Sequence, residues 1–347
     1  MTNKNSNNYF IIIGAIIIGA FIMMGILTAA VGLDDDDDDK KENVDKSFLN
    51  GGDKSEGIKG DDTGLNDKVD STKVKDALEG DPYKELDELI GLESVKQEVR
   101  SLANYVKVQK MREEKGLKTP KLSYHLVFTG SPGTGKTTVA RIVARIYKDL
   151  GILKKGHLVE TDRSGLIGKY VGQTAPRVNA ACDSALNGVL FIDEAYALTQ
   201  SDASSDYGAE AVATLLKRME DDRDRLVVIV AGYTNEMKKF IDTNPGLQSR
   251  FNKYINFPDY NPDELYKIFR MYLKKNEYTI TKEAAQYLRS QLDYVVAHKD
   301  RNFGNARYIR NVFEKTIQCQ ANRVSKKSNL DTEELTEITL ADIKQAI

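Results

Sequence analysis

The chain has 347 residues, with 50 Lys and Arg against 52 Asp and Glu, and its formal net charge of −2 gives no general attraction to nucleic acid. Cys182 and Cys319 are its only cysteines and His125, His157 and His298 its only histidines, which excludes a disulfide framework and a zinc-ligand pattern. Two ordinary buried thiols in a reducing compartment are expected, and the length has room for a two-part globular module with extra segments.

Residues 1–8 are polar, and the uncharged stretch Tyr9–Leu33 is long enough to span a bilayer, so one transmembrane helix is predicted over 9–33. Thr28 and Ala30 resemble the small residues of a signal-peptide cleavage site, but the apolar region is too long and Lys4 is the only charge before it. Lys40, Lys41 and Lys46 outnumber Lys4, which favours a single-pass membrane protein with its C-terminal part in the cytoplasm. Residues 34–80 are acidic and lack apolar periodicity, as a flexible linker does.

Folded structure is expected from Asp81 onward. Helical patterning runs over Tyr83–Leu89 and Ser94–Gln109, with the corner Ile90-Gly91-Leu92 between them. Strand-like runs recur at Leu126–Thr129, Val189–Asp193 and Leu226–Ala231, separated by helical stretches such as Val139–Leu150 and Glu210–Glu220. That alternation predicts an α/β domain over 81–258 with a parallel sheet flanked by helices. After Pro258 the helical segments Pro262–Lys275, Thr281–Val296 and Asn305–Val324 predict a small all-α domain over 259–347.

Gly130–Thr137, GSPGTGKT, fills G-x-x-x-x-G-K-[ST] between a strand-like run and a helix-like stretch, the context that identifies a phosphate-binding P-loop. Its glycines let successive N–H groups turn toward a polyphosphate, so Ser131, Pro132, Gly133, Thr134, Gly135, Lys136, Thr137 and Thr138 are candidate ATP-binding residues. Lys136 would neutralise the β and γ phosphates, and the Thr137 hydroxyl would ligate Mg2+. The apolar run Gly188–Ile192 ends in two carboxylates: Asp193 would hold the magnesium and Glu194 would polarise the attacking water. The plainer use of that pair is to cap the next helix, but beside a P-loop catalysis is the better reading.

With LDELIGLESVK, GSPGTGKTT, GLIGKYVGQTA, VLFIDEAYAL, VVIVAGYTNEM, NPGLQSRF and FGNARYIRN in this order, the chain resembles the AAA+ ATPases of the CbxX/CfxQ family, over about Leu86–Lys326. The resemblance implies a P-loop AAA+ module that uses ATP and Mg2+ in an oligomeric ring, hexamers being the family habit. It further implies that Ile90 and Gly91 contact adenine and that Arg250 is an arginine finger serving the neighbouring subunit. Arg307 would be the sensor 2 arginine, with Arg310 a weaker alternative. Thr234 or Asn235 would be the sensor 1 residue orienting the water, and Lys169, Tyr170 and Val171 would form a pore loop gripping polypeptide.

The function expected is thus a membrane-anchored ATP hydrolase that remodels or threads a protein partner, with no nucleic acid partner. A nucleic-acid-handling AAA+ ATPase would show a basic stripe or an appended helix-turn-helix. A nucleotide-dependent scaffold is disfavoured because Glu194 and Arg250 are intact. No H-E-x-x-H occurs in the chain, so a zinc protease in the same polypeptide is excluded.

Overall fold

The computed structural model describes residues 80–120, 123–199 and 207–347. After Asp81, whose side chain accepts from the Tyr83 N–H, come α1 (Pro82–Glu88) and α2 (Glu93–Glu114). The remaining elements of the α/β part are β1 (Leu126–Gly130), α3 (Lys136–Asp149), β2 (Leu158–Thr161), α4 (Arg163–Leu166), α5 (Thr174–Ser184), β3 (Gly188–Ile192), a 3-10 turn at Ala195–Thr199, α6 (Tyr207–Asp221), β4 (Leu226–Gly232), α7 (Thr234–Asp242), α8 (Pro245–Arg250) and β5 (Tyr254–Phe257).

The strands form one parallel sheet in the order β2-β3-β4-β1-β5. Strand side chains alternate between two cores, as a period of two requires. Phe128, Phe191 and Ile229 pack on one face, and Val127, Leu190, Val228 and Val230 pack on the other. Because β3, β4 and β1 are neighbours, the loops that leave their C-terminal ends open onto one crevice, where α/β sheets bind ligands.

The helical part comprises α9 (Pro262–Lys275), β6 (Thr279–Ile280), α10 (Lys282–Ala297), α11 (Ala306–Val324), α12 (Thr332–Thr336), β7 (Glu337–Ile338) and α13 (Leu340–Ala346). Asn261 and Glu264 form a capping box around Pro262, which fixes where α9 begins. Phe269, Phe313 and Leu288 pack in the same apolar cluster as Phe128 and Phe257, so this lid shares a core with one face of the sheet. Arg323 pairs with Asp342 at 2.9 Å, tying α11 to α13.

Two expectations need correction. The transmembrane helix over 9–33, the segment 1–8 and all of the linker 34–80 except Gly80 lie outside the described residues. Among the described residues no helix is long and apolar enough to cross a membrane, and the single-pass membrane localisation, which rested on the apolarity of 9–33 and the lysines that follow it, is withdrawn. The thiols also differ from each other: Cys182 is buried, which pushes it up to about 12, whereas Cys319 is half-exposed.

His125, just before β1, gives the fold a pH dependence. Its Nδ1 accepts the Val228 N–H at 3.0 Å, which requires the neutral ring. Burial, and then the charge of Arg250, lower its pKa from 6.5 to about 4, against the Met219 backbone. Between those values the unfolded chain binds more protons than the native one, so stability falls as pH drops from 6.5 toward 4, by roughly 3 kcal/mol in all. Urea unfolding at pH 7 and pH 5 measures this, and His125→Gln should flatten the dependence.

Candidate functional site

The crevice holds a cleft of about 270 Å³. Its lining brings together Gly130, Pro132, Gly133, Gly135, Lys136, Thr137 and Thr138 from the P-loop, Asp193 and Glu194 after β3, Gly232 and Tyr233 at the end of β4, and Tyr272, Ala306, Arg307 and Arg310 from the lid. Segments far apart in sequence thus converge on the α3 N-terminus, where the first amides lack helical partners and favour an anion.

The P-loop is shaped by its glycines. Gly130, Gly133 and Gly135 have φ of 144°, 71° and 97°, conformations that a side chain would strain. Lys136 Nζ donates to the carbonyls of Gly130 at 2.9 Å and Ser131 at 2.8 Å, and Thr134 Oγ1 donates to Ser131 O at 2.9 Å. Burial lowers the Lys136 pKa; Asp193 and Glu194 oppose this, while Arg307 adds to it. The ammonium therefore sits among the charges that a metal-bound polyphosphate would have to balance.

Asp193 is half-buried and its Oδ1 accepts the Glu194 N–H at 3.0 Å. Glu194 is exposed and has φ of 47°, a left-handed conformation unusual for a non-glycine residue. Such a conformation costs about 1–3 kcal/mol and is often held at working sites. It turns the chain from β3 directly into the 3-10 turn, leaving both carboxylates on the cleft wall.

The other candidates are placed as follows. Ile90 and Gly91 form the corner between α1 and α2; it is anchored by Leu92, whose Cδ1 lies 3.5 Å from a Cβ placed on Gly135. Thr234 and Asn235 line a neighbouring cavity that shares Gly130 and Tyr233 with the first, while Tyr233 is the residue after β4 that reaches the cleft of Lys136. Sequence reasoning missed Tyr233 because it looked for a small polar group. Arg250 lies outside the cleft at the end of α8, with Nη2 3.3 Å from Glu220 Oε2 and Nε buried without a hydrogen-bond partner.

Lys169, Tyr170 and Val171 sit on the loop between α4 and α5, where the Tyr170 and Val171 side chains are 70% and 85% exposed. That exposure rules out a core role. The loop is held at its neck by Gly168 N–H on Thr174 Oγ1 at 3.2 Å. Arg163 on α4 donates to the carbonyls of Ala197 and Leu198 in the turn that follows Glu194. The exposed loop and the carboxylate are thereby linked through one short helix and one turn.

Residues 126–259 match the family described as "ATPase family associated with various cellular activities (AAA)", and residues 261–347 match the "AAA lid domain". The ribulose bisphosphate carboxylase/oxygenase activase of Cyanidioschyzon merolae, whose name marks it as chloroplastic, is 44% identical over 75% of this chain and 87% of its own. A CfxQ homolog of Cyanidium caldarium is 44% identical over 74% of this chain and 90% of its own. The longer ESX-3 secretion system protein EccA3 of Mycobacterium leprae is 39% identical, but the match spans only 47% of its length. Among solved structures, the FIGL-1 AAA domain in complex with ADP superimposes with a TM-score of 0.55 at 20% identity, over 75% of this chain and 82% of that one, a likeness of fold.

Proposed function

The chain belongs to the CbxX/CfxQ branch of the AAA ATPases and hydrolyses ATP, and we propose that it does so in an oligomeric ring, hexameric by family habit, that remodels or threads a protein partner. Lys136 and the P-loop amides bind the phosphates, and Arg307 reports the nucleotide to the lid. Thr137 and Asp193 offer the hard oxygens that Mg2+ prefers, and a site with so few protein ligands fits an ion that keeps several waters. When bound, magnesium supplies charge neutralisation on the phosphates. Glu194 orients and polarises the attacking water.

Arg250 acts on the site of the next subunit. Its position outside the cleft of its own chain supports that reading, as does a guanidinium held by Glu220 and the Gly246 carbonyl with its Nε unpartnered. The neighbour's arginine would neutralise charge that grows on the phosphates in the transition state.

The observation that carries the remodelling reading is the exposure of Tyr170 and Val171 on the loop after α4, a helix that Arg163 ties to the turn behind Glu194. A tyrosine gives large amphipathic contact area without requiring one partner sequence. Tyr170→Ala is expected to leave the melting temperature and basal ATP hydrolysis nearly unchanged, since the loss of an exposed side chain costs within about 0.5 kcal/mol, while remodelling of a protein partner fails. A melting curve beside the two activity assays decides it. Intact remodelling with Tyr170→Ala would remove the loop from the mechanism.

A further inference from the structure

We infer that Asn305 is a positioning residue for ATP, holding the lid against the P-loop so that nucleotide affinity depends on the lid being closed. This rests on the cleft being the ATP site.

Asn305 caps α11 just before Arg307; it is fully buried and has φ of 48° and ψ of −121°, a backbone conformation that an asparagine adopts only at a cost. Its side chain reaches both parts of the molecule. The two Nδ2 hydrogens are shared among three acceptors, Asp259 Oδ1 at 2.9 Å, Phe303 O at 3.1 Å and the P-loop carbonyl of Pro132 at 3.3 Å, and Oδ1 accepts the Tyr260 N–H at 2.9 Å. Asp259 is in turn paired with Lys299 at 2.6 Å.

The bond to Pro132 is one of a row. The Ala306 N–H donates to Gly133 O at 3.1 Å, and the Tyr260 hydroxyl donates to Thr134 O at 3.4 Å. Three successive P-loop carbonyls, those of Pro132, Gly133 and Thr134, are therefore bound from the lid and the hinge before it. The two before them, Gly130 and Ser131, are bound by Lys136. With its carbonyls engaged outward, the loop keeps its amides free for phosphate. A Cβ on Gly133 would run into the Gly304 carbonyl oxygen and approach Arg307 N to 3.0 Å, so glycine is needed there for the lid to come this close. Opening the lid breaks all three bonds and moves Arg307 as well.

The test uses Asn305→Gly in the full chain, because glycine tolerates φ of 48° and removes only the side-chain bonds. Affinity for a fluorescent ADP analogue, kcat and KM for ATP, and melting without nucleotide are measured beside Lys136→Ala. The expected result is affinity weakened and KM raised about tenfold, the usual scale of coupling between sites, with kcat within about threefold, and a lowered melting temperature because a buried side chain and its hydrogen bonds are lost. Asn305→Asp should also weaken affinity by placing a second carboxylate beside Asp259, and adding Asp259→Asn should recover part of that loss.

If Lys136→Ala still binds nucleotide, the site itself has been misread. If Lys136→Ala loses binding while Asn305→Gly binds within about twofold of the unaltered protein, the inference alone is overturned. Loss of kcat and stability with KM unmoved, or no recovery with Asp259→Asn, also overturns it. If neither single variant folds, Asn305 is a folding residue and the inference fails.

Discussion

Glu194→Gln is expected to bind ATP with near-normal affinity and to lose turnover on the order of 10²–10³-fold, whereas Lys136→Ala loses binding itself. The difference follows from when each group acts. The Lys136 ammonium, part-buried between the P-loop carbonyls and the carboxylates, attracts phosphate already in the ground state. Removing it gives up charge-assisted hydrogen bonds of about 1.5–3 kcal/mol each. In the proposed role the glutamate acts on the water, so its neutral amide would leave the bound state intact and weaken only the transition state. Equilibrium binding of labelled ATP and single-turnover hydrolysis separate the two effects. Wild-type turnover in Glu194→Gln would take that carboxylate out of the chemistry.

Arg250→Ala is expected to fold and bind ATP yet hydrolyse it on the order of 10³-fold more slowly, the scale on which an arginine finger acts. Within its own chain Arg250 touches none of the cleft, and the Glu220 pair that it loses is an exposed one of small value. Melting should therefore shift little while turnover collapses. Steady-state hydrolysis beside nucleotide affinity and a melting curve checks this. Normal turnover would leave Arg250 with only its local contacts to Glu220 and Gly246.

The strands bearing the P-loop and the two carboxylates were legible in the sequence because they are buried on both faces. Leu126–Gly130, Gly188–Ile192 and Leu226–Gly232 consequently read as continuous apolar runs. The edge strands do not stand out, β2, LVET, because it is short and only its first two residues are apolar and buried, and β5, YINF, because it is short and exposed on one side; neither was foreseen. Linear motifs fixed the P-loop and Asp193-Glu194, because the chemistry needs those residues at fixed spacing along one segment. Asn305 and Tyr260 carried no such signal. Their bonds to Pro132 and Thr134 join residues 173 and 126 positions apart, and only the closed lid brings them together. At the end of β4, Thr234 and Asn235 have the expected polarity, and α7, which begins at Thr234, places both on the adjoining cavity, with Tyr233 at the cleft of Lys136.

If each ATP site is completed by the next subunit, two inactive variants should restore each other when mixed. Arg250→Ala subunits retain Lys136 and the carboxylates, and Lys136→Ala subunits retain Arg250, so an interface between them in one order holds a complete site. Hydrolysis measured across mixing ratios should rise from near zero for either variant alone to a maximum in the mixture. No rise, in assemblies shown by differential tagging to contain both variants, would contradict the shared site.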